Sequence, residues 1–163
     1  MNTSTTPDLA EALLSEVDQY VQALGELPAN KRLSAPTLDL VYKLALQQLG
    51  FGHVKTARDY LSLLLVYAPT DARFLEALAQ CCEQEGDSDE ALRHYSLALY
   101  ISPTSNRLAL AVAENLARRG EEASAISILQ DVVRLANQPS ELKYRLRAEV
   151  WLQRLKEGAV EPT

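Results

Sequence analysis

The chain has 163 residues, with 22 acidic and 16 basic side chains and a formal net charge of −6, a length that fits one domain or one array of small repeats at about 100–200 residues per domain. Hydrophobic residues make up 47% and charged residues 23%, the balance of an ordinary folded chain. Six glycines and seven prolines are too few turn formers for a barrel or sandwich of many short strands, and the acidic balance argues against a surface for nucleic acid or anionic lipid.

No run approaches the roughly 20 apolar residues of a membrane helix; the most apolar, residues 61–68, is interrupted by Ser62 and stopped by Pro69. Residues 1–7 contain no Lys or Arg and no apolar centre, so no secretory signal is read there and the cytoplasm is the expected compartment. The adjacent Cys81 and Cys82 have neither disulfide nor metal spacing and read as two buried thiols in a reducing compartment.

In chain order, residues 1–6 read as a disordered tail. Residues 8–27 carry Leu13, Val17, Tyr20, Leu24 and Leu27 on one stripe, the pattern of an amphipathic helix. That helix either covers the open N-terminal face of the repeat array, or pairs with a second copy through Leu13, Val17, Tyr20 and Leu24 to give a homodimer. Pro28, Ala29 and Asn30 break it, and Ser34 and Pro36 open the next element. Residues 1–37 therefore form a leading unit.

From residue 38 the chain repeats. Gly52, Gly86 and Gly120 are 34 residues apart, as are Ala57, Ala91 and Ala125, and Ala45, Ala79 and Ala113. Pro69 and Pro103 keep the same interval. The frames 38–71, 72–105 and 106–139 put the glycines at repeat position 15, the two alanine columns at 8 and 20, and the prolines at 32. This pattern resembles the tetratricopeptide repeat, a helix-turn-helix unit of 34 residues. Small residues at 8 and 20 allow the two helices of a unit to approach, glycine at 15 takes a left-handed turn, and proline at 32 ends the second helix. The expected fold is all-α: three tetratricopeptide repeats in a right-handed superhelical array, between an N-terminal helix and a C-terminal capping helix. In that last unit, residues 140–163, Ser140 is read as the N-cap, Leu142, Leu146, Val150 and Leu155 with Trp151 as the sealing stripe, and residues 158–163 as a tail. Lys143, Arg145, Arg147, Arg154 and Lys156 form a basic face, read as solvated or, alternatively, as a contact for an acidic partner segment.

Catalytic chemistry has no visible residue set. His53 and His94 are isolated, no glycine-rich phosphate loop or metal spacing occurs, and Glu83, Glu85, Asp87, Asp89 and Glu90 read as two solvent-facing helix ends. An enzyme is not expected, and neither is a cofactor or metal.

First helices of stacked repeats line a concave surface suited to an extended peptide. Positions 2, 5, 9 and 12 point into it, which gives Asp39, Tyr42, Leu46 and Leu49 from the first copy, Arg73, Glu76, Gln80 and Glu83 from the second, and Arg107, Leu110, Glu114 and Ala117 from the third. The groove is thus apolar at its N-terminal end and polar beyond. Tyr42 and Leu46 stand where the carboxylate clamp of Hsp90-type co-chaperones has Lys and Asn.

Leu40-Val41-Tyr42-Lys43-Leu44-Ala45 leading to Gly52, Asp71-Ala72-Arg73-Phe74 followed by Leu78, Cys81, Gly86, Ala91 and Tyr95, and Arg107 with Ala113-Glu114, Leu116 and Gly120-Glu121 resemble the class II chaperones of bacterial type III secretion systems. The resemblance covers residues 8 to about 157. It implies seven or eight helices, a noncatalytic role, and a translocator protein as partner, held by an extended N-terminal segment in the groove. By position it implies pocket residues Tyr42, Leu46 and Leu49, with Arg73 and Gln80 beside them; aromatic residues that family members carry at 46 and 49 are absent here. Alternative readings are a chaperone of another secretion component, such as the needle subunit, and a general repeat scaffold or adaptor.

Overall fold

A computed structural model describes residues 33–158. The leading helix, its pairing residues Leu13, Val17, Tyr20 and Leu24, and the tails at 1–6 and 159–163 lie outside the described residues. Within them the chain forms seven α-helices and no strand: α1 (Ala35–Gly50), α2 (Val54–Tyr67), α3 (Ala72–Gln84), α4 (Ser88–Ile101), α5 (Asn106–Arg118), α6 (Glu122–Leu135) and α7 (Leu142–Glu157). No helix among them is long and apolar enough to cross a membrane.

Local chemistry sets the helix ends. Ser34, Asp71, Asp87 and Ser105 each accept a backbone N–H of the first turn through the side chain, satisfying a donor that the helix itself leaves orphaned. At the other ends Gly52, Gly86 and Gly120 have φ of 78°, 80° and 78°. The N–H after each glycine reaches back to a carbonyl of the helix before it, His53 to Gln48, Asp87 to Cys82 and Glu121 to Leu116, each at 2.9 Å. That is the Schellman closure, which needs a left-handed residue that glycine supplies without a Cβ penalty. In the third copy, where proline is missing at position 32, Asn137 donates from Nδ2 to the Arg134 carbonyl at 2.7 Å and closes the end of α6 instead.

Each of α1/α2, α3/α4 and α5/α6 is a packed pair, and successive pairs stack through α2 against α3 and α4 against α5. The six alanines of the two columns have no exposed surface, which lets each helix pair approach closely. Two apolar cores result. One joins Ala45, Leu49, Ala57, Leu61, Leu64 and Phe74 with Cys81, and the other runs from Leu75 and Cys82 through Tyr95 and Leu129 to Leu155. Both cysteines are free and buried; burial pushes the Cys81 thiol up to about 11.

The final helix differs from the sequence expectation. Leu142, Leu146 and Val150 are 50%, 52% and 51% exposed, and the face that packs on α5 and α6 consists of Tyr144, Ala148, Trp151, Leu152 and Leu155. Two i, i+4 apolar rows compete on this helix. The row containing Ala148 wins because a small residue at the contact allows close approach and because Trp151 finds a buried acceptor on α5. Ser140 does not cap α7 either, since it sits inside a 3₁₀ turn, Pro139–Glu141, that precedes the helix.

Candidate functional site

The first helices of the second and third pairs, α3 and α5, enclose with α7 a cleft of about 480 Å³. Six predicted groove residues line it: Glu76, Gln80 and Glu83 from α3, and Arg107, Leu110 and Glu114 from α5. Tyr42 and Arg73 stand together on α1 and α3, outside that cleft. The Tyr42 ring meets Phe74 at 5.2 Å between centroids, and the Arg73 guanidinium lies 5.5 Å from both ring centres. Arg73 is fixed there by Asp71, with Nη2 2.7 Å from Oδ2, and by Asp39 at 3.1 Å. Those carboxylates, first through the hydrogen bonds that Arg73 donates to Asp71, hold the guanidinium charged. The Tyr42 hydroxyl is raised by burial and by the charge of Glu76.

Leu46 is 38% exposed on α1 and available to a ligand. Leu49 is not: it is buried in the first core together with Ala45, Ala57 and Leu61, because position 12 of this copy faces the helix partner rather than the groove. Ala117, at the same position of the third copy, is likewise core.

The polar part of the cleft is an ordered set of ion pairs. Glu76, almost fully buried, meets Arg107 at 2.5 Å. Burial pushes its carboxyl above the ordinary value, and Arg107 opposes that shift. Glu114, also buried, accepts both Nε and Nη2 of Arg147, the latter at 2.7 Å, and Trp151 Nε1 at 2.9 Å. Glu83 accepts Tyr95 Oη at 2.8 Å, Asn115 Nδ2 at 3.0 Å and Arg118 Nη1 at 2.9 Å. Burial, and then Glu83, raises the pKa of that tyrosine.

The acidic run 83–90 keeps Glu85, Asp87 and Asp89 exposed, as read from the sequence, but its carboxylates are engaged rather than free. Glu83 braces three helices, Glu85 pairs with Arg58 at 2.6 Å, Asp87 caps α4, Asp89 pairs with Arg119 and Glu90 with Arg93 and His94. Nor is the basic face of α7 wholly solvated, since Lys143 and Arg147 enter the cleft. Sequence reasoning missed these two as groove residues, with Tyr95, Arg118 and Tyr144. The signal that was present is the i, i+4 spacing of Lys143 and Arg147 on one helix face. Another cleft, of about 800 Å³, lies between α4 and α6 and includes Leu99, Tyr100, Pro103, Ile128 and Leu135, but none of the predicted groove residues.

No family model matches the chain. The low calcium response locus protein H of Yersinia pestis is 27% identical over 154 residues, covering 93% of this chain and 91% of that protein. Among solved structures, the type III secretion chaperone SycD of Yersinia enterocolitica, in complex with a peptide of the translocator YopD, is 30% identical over 78% of this chain and 98% of its own, with a TM-score of 0.72. The chain belongs to the type III secretion translocator chaperones. Another member, PcrH of Pseudomonas aeruginosa in complex with the chaperone binding region of PopD, is 26% identical over 78% of this chain and 96% of its own, also with a TM-score of 0.72. In this member of the family the helix pairs, the groove helices and the trailing α7 follow the repeat architecture read from the 34-residue columns.

Proposed function

We propose that the protein binds an extended segment of a hydrophobic translocator in its concave groove and keeps that client soluble and secretion-competent in the bacterial cytoplasm. The observation that carries this is a cleft on the first-helix face, in a chain 30% identical to a chaperone solved with a translocator peptide. Tyr42, with its ring against Phe74, and the exposed Leu46 offer apolar contact at one end. Gln80, Arg107 and Arg147 offer hydrogen bonds at the other. A translocator carries segments that seek a membrane and aggregate in water, so holding one segment extended removes apolar surface from solvent. Sequestration of this kind needs no nucleophile and no proton transfer, and the carboxylates of the cleft are consumed in structural pairs.

On the leading side, α1 leaves Leu40 and Leu44 exposed at 59% and 40%. Residues 8–27, which precede α1 in the chain, are proposed to cover that surface; SycD, known in an alternative dimer, keeps the pairing of two copies as the competing arrangement. Limited proteolysis of a co-expressed translocator tests the chaperone reading. Its N-terminal segment becomes protected in the complex while the remainder stays sensitive. Protection of an already folded partner over its whole length would favour an adaptor instead.

A further inference from the structure

Charge within the cleft is unevenly satisfied. Four cations line it, Arg107, Arg118, Lys143 and Arg147, against three carboxylates, Glu76, Glu83 and Glu114. Every one of the carboxylates already accepts from an arginine of the chain itself, and Glu76 and Glu114 keep only 7% and 6% of their side chains exposed. A basic client residue would have to displace one of those arginines from a desolvated partner, which is costly.

The cations are in the opposite position. Lys143 has no carboxylate within ion-pairing distance among the described residues, and its ammonium rests 4.9 Å from the centre of the Tyr144 ring. Arg147, one turn further along α7, remains 62% exposed although it is paired, and Arg107 is 52% exposed, so each turns unused N–H donors to the groove. The cleft has spare donors and no spare acceptor charge.

We propose that Lys143, supported by Arg147, selects a client segment that carries an aspartate or glutamate at the α7 end of the groove, at a fixed distance from its apolar anchor residues. The inference rests on the groove being a peptide site and adds to it the chemistry of the second recognition element. The apolar end supplies affinity and the α7 end supplies register, since Tyr42 and Leu46 lie on α1 and Lys143 on α7, so that an acidic side chain meets Lys143 only at a set spacing from the apolar anchors.

Random dodecapeptides displayed on phage, selected on the full-length protein and on its Lys143→Glu variant, test this. The wild type is expected to enrich an apolar pair together with Asp or Glu at one spacing. The variant keeps the apolar pair and replaces the acidic residue with Lys or Arg. Fluorescence anisotropy of the leading peptide and its Glu→Gln counterpart then shows a loss of about fivefold on the wild type at low ionic strength, shrinking with salt, and none on Lys143→Gln. Selection of the apolar pair with no acidic preference, or an acidic preference unchanged in Lys143→Glu, overturns the proposal alone. A selection that yields no apolar pair, or one indifferent to Tyr42→Ala, overturns the peptide-groove reading and the proposal with it.

Discussion

Glu114→Ala removes the carboxylate that ties α7 to the groove floor. Its two oxygens hold Arg147 through Nε and Nη2 and Trp151 through Nε1, and Oε2 stands 3.7 Å from Arg118 Nη2. Glu114 is only 6% exposed as a side chain, but Arg147 is 62% exposed, so water recovers much of what the arginine loses and that pair is worth at most about 1 kcal/mol. The Trp151 bond to a charged acceptor contributes about 1.5 kcal/mol, since the indole N–H is then left without a partner at the α5–α7 contact. The volume removed adds about 1 kcal/mol, and relief of the buried charge subtracts a similar amount. The expected net cost is about 1.5–2.5 kcal/mol, read as a lowering of Tm by roughly 4–8 °C for a chain of this size. Because Trp151 is the only tryptophan, its fluorescence reports directly on the broken contact, and a red shift in the folded state should accompany the loss in urea titration. Glu114→Gln, which keeps an acceptor for Trp151, should cost about half as much. A cost below about 0.5 kcal/mol with an unshifted tryptophan spectrum would refute the idea that this carboxylate fixes the trailing helix.

Gly86→Ala should destabilise by about 1 kcal/mol from backbone strain alone, because φ is 80° and no atom lies within 4 Å of an added Cβ; Gly50→Ala, in open space without a positive φ, should be neutral or stabilising, and equal effects in denaturant titration would contradict the assignment. Cys81, with its thiol pushed up to about 11 by burial, should resist iodoacetamide at pH 8 until the chain is unfolded. The same raised value means that its contribution to stability is complete below the unfolded thiol value, near 8.5–9, and is lost as pH rises through about 11; rapid labelling of the folded protein would show that the site is open. Deleting residues 1–30 should raise dye binding to apolar surface and lower Tm without changing the oligomeric state by light scattering, whereas a mass that falls by half assigns the segment to pairing of two copies.

Sequence periodicity carried the repeat because its marks are forced by geometry. A Schellman closure demands glycine at 52, 86 and 120, and tight helix crossings demand alanine at 45, 79 and 113 and at 57, 91 and 125. Each reading that failed did so where two patterns overlap. On α7 the larger side chains of Leu142, Leu146 and Val150 suggested a sealing row, but Ala148 and Trp151 make the contact, and hydrophobicity alone does not report how closely two helices must approach. Leu49 fits a groove position by spacing, yet three to four residues per turn leave it on the boundary between groove and core, and the packing of α2 decides for the core. Glu83 fits both a groove position and a solvent-facing helix end, and its bracing role stays hidden because its partners, Tyr95, Asn115 and Arg118, are 12, 32 and 35 residues away. Long-range ion pairs of this kind leave no local signature, and so the polar half of the cleft was named only in part: Glu76, Gln80, Glu83, Arg107, Leu110 and Glu114 follow from the repeat frame, whereas Lys143, Tyr144 and Arg147 arrive from an element outside it.

Capture of a translocator from the native cell by tagged full-length protein, compared with the double variant Tyr42→Ala, Leu46→Ala, tests the groove assignment most directly. Neither side chain is among the fully buried residues of the helix-pair cores, so helicity should be preserved, and removal of two apolar anchors should weaken client binding by a few kcal/mol at most. The expected result is a hydrophobic translocator retained by the wild type and lost from the double variant at equal protein levels. Undiminished retention of the translocator by the folded double variant would contradict it.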